Sequence, residues 1–439
     1  MRKLLLILAA CGSAAIPVAS QEKKAPQAYV LKAARMFDGK SDSLTTPGMV
    51  VVQGGKIVGV GSGAKVPESA EVIDLGDATL LPGFIDAHTH LTMPYSEDHD
   101  RSELARLEET IPQMAIESTV TARLTLMAGF TTVRDVGAEH YLDVGLKNAI
   151  NRGVVPGPRM LVAVHAIGAT AGHCDNNGYR EGAIGAETGP PQGIVNGADQ
   201  ARQAVRLAHK YGATVIKTCA TGGVLSSVDL VDAPQLTQAE LDALVDEAHA
   251  SKLKTAAHAH GAEGAKRAIR AGIDSIEHGS FLDDEALDMM KARGTYFVPT
   301  LMASEGLRER IAGGGKLPPE IREKAERAMK AVPETFRKAV AKGVKIGLGT
   351  DAAVYPHGRN AEEFHQMVDL GMKPIAALKA GTSADADLLG LADKIGTLES
   401  GKLADVVAVP GNPLENIRQT EHVFFVMKEG TIFKNEKPH

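Results

Sequence analysis

Tryptophan is absent from the 439 residues, and aromatic residues contribute only 4%. That shortage removes the stacking platforms by which proteins hold single-stranded nucleic acid. Basic charge is not in excess either: 48 Lys and Arg stand against 54 Asp and Glu, a formal net charge of −6. Such a surface draws no polyphosphate partner. No Gly-x-Gly-x-x-Gly follows an early candidate strand, so a doubly wound dinucleotide fold lacks its fingerprint. Three cysteines are too few for a disulfide framework. No apolar run has the length and flanks of a membrane span.

The one concentrated apolar segment is N-terminal, "MRKLLLILAACGSAAIPVAS". Basic Arg2 and Lys3, an apolar stretch from Leu4 and then small residues predict a secretory signal over residues 1–20, with cleavage after Ser20. An alternative uses Leu8-Ala9-Ala10-Cys11 as a lipoprotein box and leaves Cys11 lipid-modified. Both readings export the protein, to the periplasm or beyond. Residues 21–27 are polar and expected to be disordered. Cys174 and Cys219 are expected as two buried free thiols; the alternative is that the fold brings them together and an oxidising compartment pairs them.

From Tyr29 to Leu81 short β-type runs are broken by glycines, as in "GMVVVQGGKIVGVG". The far end, "GKLADVVAVPGNP" and "HVFFVMKEGTIFK", has the same texture. Residues 21–81 and 396–439 are therefore expected to build one small β-sandwich from both chain ends. Between them, residues 82–395 alternate strand and helix signals. Candidate strands are Phe84–His88, Thr131–Asp135, Met160–Val164, Thr214–Thr218, Thr255–His258, Ser275–His278, Tyr296–Thr300 and Ile346–Asp351. Eight strands alternating with helices predict an α/β fold, a (β/α)8 TIM-like barrel. The long polar interval between Leu161 and Thr214 suits an active-site loop.

Polar residues sit at the ends of these strands. "FIDAHTH" carries His88 and His90, "AAHAHG" His258 and His260, "SIEHG" His278 and "GLGTDA" Asp351. "ATVIKTCATGG" holds an oddity: Lys217 follows Val215 and Ile216 in what reads as a buried strand. A buried ammonium is costly, so such a lysine is exposed, paired or chemically altered. In a barrel of this kind all these strand ends meet at one mouth. Each residue alone has a bland reading. His-x-His can be structural, His278 a hydrogen-bonded core residue, Asp351 a helix cap and Lys217 a snorkelling side chain. All of these holding at five strand ends together is less economical than one shared site.

"PGFIDAHTH", the lysine of the fourth strand, the histidines of the fifth and sixth, "GTDA" and the terminal "GKLADVVAV" resemble the amidohydrolase superfamily. "TGGVLS", "AHAHG", "SIEHG" and "GTDA" resemble more specifically its imidazolonepropionase and Xaa-Pro dipeptidase branch, which includes secreted bacterial enzymes that hydrolyse ochratoxin A. The resemblance implies a metal-dependent hydrolase of carbon–nitrogen bonds with two divalent cations. Zinc is the implied metal, since imidazole-rich ligation suits it, with manganese or cobalt acceptable.

By the same resemblance Lys217 captures carbon dioxide as a carbamate that bridges both cations. A buried, neutral amine favours that reaction. His88, His90 and Asp351 hold one ion, and His258 and His278 the other. A hydroxide bridging the two attacks the amide, with Asp351 shuttling the proton. His260 and His173 are candidate oxyanion donors. His173 is otherwise a plain loop residue. Gly222, Gly223, His357 and Arg359 are candidate substrate contacts, with a tight turn and a surface charge as the bland readings.

The implied partner is a small amide or dipeptide with a free carboxylate: Xaa-Pro-like dipeptides, N-acyl amino acids or ochratoxin-like amides. The implied assembly is a homo-oligomer, an octamer among the arrangements. Two alternatives stand beside this: a cyclic amide hydrolase or deaminase, whose mononuclear members lack the lysine, and a catalytically inactive exported binding protein.

Overall fold

The computed structural model describes residues 28–180 and 188–436, without the side chain of Arg106. The expected signal segment 1–20 with Cys11, the polar stretch 21–27 and the last three residues lie outside that range.

The N-terminal runs form β1 (Ala28–Ala33), β2 (Arg35–Met36), β3 (Gly48–Gln53), β4 (Lys56–Val60), β5 (Glu71–Asp74) and β6 (Ala78–Pro82). Gly54 and Gly55, both at positive φ, make the two-residue turn that pairs Gln53 with Lys56; two such φ values favour glycine and match the twist of a hairpin. One sheet runs β4-β3-β1-β5. A second is completed from the C-terminal end by β16 (Val406–Pro410), β17 (Phe425–Lys428) and β18 (Thr431–Asn435), in the order β18-β17-β16-β6-β2. Val407 lies opposite Leu81, so the chain ends are joined backbone to backbone. Leu31, Val50, Ile57, Leu80, Val406 and Phe425, from both sheets, share one hydrophobic cluster.

The middle supplies β7 (Phe84–Thr89), β8 (Phe130–Asp135), β9 (Arg159–Val162), β10 (Ala166–Ala169), β11 (Ile194–Val195), β12 (Val215–Cys219), β13 (Lys254–Gly261), β14 (Ser275–Phe281) and β15 (Tyr296–Val298). They form two parallel sheets, β7-β8-β9 and β11-β10-β12-β13-β14-β15. β7, β8, β12 and β15 are buried throughout. This is the pattern of parallel strands covered on both faces. Helices alternate with them, among them Gln238–Ala250, whose Thr237 and Glu240 close a capping box.

Two expectations are corrected. The third strand does not run unbroken to Val164: that residue sits at φ +70° and the chain resumes as β10, which pairs with β12. The eighth, Ile346–Asp351, is not a regular strand. Phe297 N–H donates to Lys345 O (2.8 Å) and Gly347 N–H to Phe297 O (2.9 Å). On the other side Ala87 N–H donates to Leu348 O (2.8 Å) and Asp351 N–H to His88 O (2.7 Å). Isolated parallel bridges, Phe297 to Ile346 and Thr89 to Ala352, stand in place of a regular ladder. A Cβ on Gly349 would lie 2.3 Å from Val298 and 2.8 Å from His88 Cβ. The sheets thus form two arcs rather than one continuous ring.

Candidate metal centre

The His-x-His of β7 places His88 and His90 on the same face of the chain. His88 is buried; its Nδ1 donates to Glu277 Oε2 at 2.8 Å, a carboxylate already paired with Arg134 at 2.9 Å. His90 Nδ1 donates to Gly137 O at 2.9 Å. Both rings therefore present an Nε2 lone pair, and these lie 3.5 Å and 3.4 Å from Asp351 Oδ1. Burial holds both imidazoles below their usual pKa. Burial also raises the Asp351 carboxyl, against His90 and Lys217. Two lone pairs and a carboxylate oxygen this close repel one another unless a proton or cation lies between them. The donor set suits a divalent metal.

His258 Nε2 donates to Gly222 O at 3.0 Å, which leaves Nδ1 as its lone pair. His278 Nδ1 is engaged by Thr300 Oγ1 at 2.8 Å. His260 Nδ1 meets Ser280 Oγ at 2.8 Å. One ring atom each of His258, His260 and His278 falls within 4.8 Å of the others, and the same holds for His88, His278 and Asp351. His260, expected as an oxyanion donor, is thus grouped with His258 and His278 in a set that could hold a metal ion. His278 belongs to both groups and joins them.

Lys217 lies in the middle of β12, 3% exposed, and is paired with no carboxylate among the described residues. Burial lowers its pKa to about 8, with Glu277 and Asp351 pulling the other way. The shift raises the share of neutral, nucleophilic amine near neutral pH.

His173 comes from the long loop and stacks on His258, ring centroids 4.2 Å apart. Burial lowers its pKa to about 4, leaving it neutral near pH 7. Its Nδ1 meets Ser226 Oγ at 3.1 Å, and that hydroxyl is 2.5 Å from Asp229 Oδ1. Burial opposes ionisation of Asp229, yet Ser226, His173, Lys324 and Gln235 hold it below the usual carboxylate range. An ionised carboxylate only accepts, so Ser226 gives it the hydroxyl proton and receives the Nδ1–H of His173. The Nε2 of neutral His173 is then an acceptor. An oxyanion donor would need the other tautomer, with the proton on Nε2.

Gly222 and Gly223 serve these histidines directly. A Cβ on Gly223 would fall 2.1 Å from His173 Nδ1, and one on Gly222 2.2 Å from Leu230 O. Lys324 holds the same turn from the helix Pro319–Lys342, donating to Gly223 O at 2.8 Å.

His357 Nε2 donates to Met93 O (2.8 Å), while its Nδ1 is buried without a hydrogen-bond partner. Arg359 is not free to capture a carboxylate in this arrangement. Its guanidinium is bound by Glu309 (2.7 and 2.9 Å) and Glu362 (2.7 Å twice).

Sequence reasoning missed the support beneath the ligands. Arg134 and Glu277 are fully buried, and Ser275 and the Ala87 carbonyl complete the cluster that orients His88. Asp86, its pKa raised to about 7 by burial, ties His88 N to Thr350 and Asn360. The signal was present: each is a charge inside an apolar strand, as Lys217 is. Arg134→Met strands the Glu277 charge and is expected to destabilise the fold by about 3–5 kcal/mol. Denaturant unfolding measures it, and a loss below about 1 kcal/mol would contradict a load on this pair.

A protein-family model described as the amidohydrolase family matches residues 79–434. The chain belongs to that family, an α/β class of TIM-like barrels and metal-dependent hydrolases acting on amide and peptide bonds. It is 32% identical to the ochratoxinase of Aspergillus niger over 92% of this chain and 86% of that protein. It is also similar to the crystal structure of a Xaa-Pro dipeptidase with methionine bound in the active site, at 41% identity and a TM-score of 0.86, covering 93% of this chain and all of that one. The crystal structure of A. niger ochratoxinase superposes with a TM-score of 0.80 at 30% identity, covering 94% and 96%.

Proposed function

We propose that this protein is an exported binuclear-metal amidohydrolase that cleaves amide bonds in small substrates carrying a free carboxylate. Xaa-Pro-like dipeptides, N-acyl amino acids and ochratoxin-like amides are the substrate classes. The observation that carries the reading is Lys217, a buried amine lacking a carboxylate partner among the described residues, beside donors that converge as lone pairs. His88, His90 and Asp351 would hold one cation, and His258 and His278 the other, with a carbamate on Lys217 shared between them. Zinc fits the imidazole-rich set. When bound, such cations polarise an amide carbonyl and acidify water near neutral pH.

The chain's own residues do the rest. Asp351 Oδ2 takes the proton of the attacking water and returns it to the leaving nitrogen, work for which a carboxyl pKa raised by burial is suited. His260, braced by Ser280, stabilises the developing oxyanion. Glu277 holds His88 in one tautomer and Asp86 fixes its backbone, while Gly137 O does the same for the ring of His90. In this reading residues 82–395 are the catalytic (β/α)8 domain, to which the two parallel arcs and segment 345–351 belong. The two terminal sheets, over described residues 28–81 and 396–436, are read as the composite sandwich.

Methionine bound in the dipeptidase relative supports a pocket for a free amino acid. Export finds support in the Cys174–Cys219 disulfide, Cα atoms 6.1 Å apart, which corrects the expected free thiols and suits an oxidising compartment. No helix of the described residues is long and apolar enough to cross a membrane.

A panel of dipeptides, N-acyl amino acids and lactams tests the substrate class by kcat/KM. Free-carboxylate amides are expected to lead. Preference for lactams would reverse the reading toward cyclic amides.

A further inference from the structure

The catalytic reading leaves the disulfide without a role. We propose that the Cys174–Cys219 disulfide is a positioning device for His173, so that its reduction slows turnover while the metal ligands stay in place. The inference rests on the reading above, in which His258, the ring that His173 stacks on, holds one of the cations.

The geometry is a matched pair of contacts. His173 and Cys174 are adjacent in the loop, and the residues they meet are adjacent in the sheet. Cys219 of β12 lies in register with His258 of β13. Cys174 is bonded to the first of these, and the ring of His173 stacks on the second at an interplanar angle of 29°. Two glycines make room for exactly these two side chains. A Cβ on Gly168 would fall 2.8 Å from Cys174 Cβ, and one on Gly223 2.1 Å from His173 Nδ1. Ser226 fixes the ring's rotation and tautomer, while His173 N–H donates to Gln235 Oε1 at 2.9 Å. These polar contacts orient the ring once the loop is seated; the covalent bond seats the loop. Neither cysteine is among the proposed ligands, so opening the bond removes no metal donor.

A phosphine reductant opens it in balance. The S–S bond breaks, two electrons pass from phosphorus to the sulfurs, and water supplies the two thiol protons and the oxygen of the phosphine oxide. The loop is then free to move by an ångström or more, a misplacement that costs on the order of 10²-fold in rate.

The test uses the metal-loaded full chain and compares wild type, His173→Ala and the double variant Cys174→Ser/Cys219→Ser, each with and without phosphine. Thiols, bound metal, kcat and KM are measured together. Reduced wild type is expected to gain two thiols and keep its metal, while kcat falls roughly 10- to 100-fold and KM moves less. His173→Ala is expected to be slow in both states, with no further loss on reduction. The double variant is expected to match reduced wild type and ignore phosphine. Wild type at full rate after gaining two thiols overturns the proposal, as does loss of metal on reduction. So does a fall in His173→Ala as large as in wild type. An oxidised wild type that cleaves no amide sinks the functional reading instead.

Discussion

Lys217→Ala is expected to leave no measurable amide hydrolysis and at most one metal ion per chain. The lysine is buried on β12, and burial lowers its pKa to about 8 from 10.5. At pH 7.5 about a quarter of such amines are neutral, against roughly one in a thousand at the ordinary value. Only the neutral amine attacks carbon dioxide. The product exchanges a positive charge for a negative one with two oxygens, among donors that are otherwise mostly neutral imidazoles. Alanine removes one of the two anionic donors proposed for the pair of cations and the one side chain proposed to be shared by both ions. Metal analysis and turnover on the same preparation check it. Two ions retained with normal turnover would end the bridging assignment.

Asp351→Asn is expected to keep the fold and lose about 10²–10⁴ in kcat, the range for a positioned acid–base group. Asparagine matches the carboxylate in size and tolerates the left-handed backbone at φ +58°. The backbone bond from residue 351 to His88 O is unaffected by the change. What is lost is an oxygen able to take a proton and one charge facing His88 and His90. Unfolding midpoint and single-turnover rate separate the two effects. A near-normal rate would exclude Asp351 as the shuttle.

The convergence of the strand-end histidines, Lys217 and Asp351 was legible because polar groups at the ends of apolar strands are costly unless they share a purpose. Glu277, Arg134 and Asp86 carry the same signal, but their partners, among them His88, Ser275, Thr350 and Asn360, lie on other strands and segments or along the same strand. A strand-by-strand reading gives no means of matching such partners across the sheet. The irregular segment 345–351 runs in close approach to Val298 and His88 around Gly349, which is a property of neighbours rather than of local pattern, and the break at Val164 turns on its left-handed φ. The pairing of Cys174 with Cys219 joins residues 45 apart in sequence, and only the seating of the long loop on β12 makes them meet. Arg359 looked like a carboxylate receptor on the eighth loop. Its two glutamate partners, Glu309 on a different helix and Glu362 three residues away, take up that role.

A diffraction experiment with anomalous scattering on the protein as isolated tests the central claim most directly. The account predicts two metal peaks, one among His88, His90 and Asp351 and one beside His258 and His278, with added density on Lys217 Nζ reaching both. An unmodified amine at residue 217 with no metal peak within reach would contradict it.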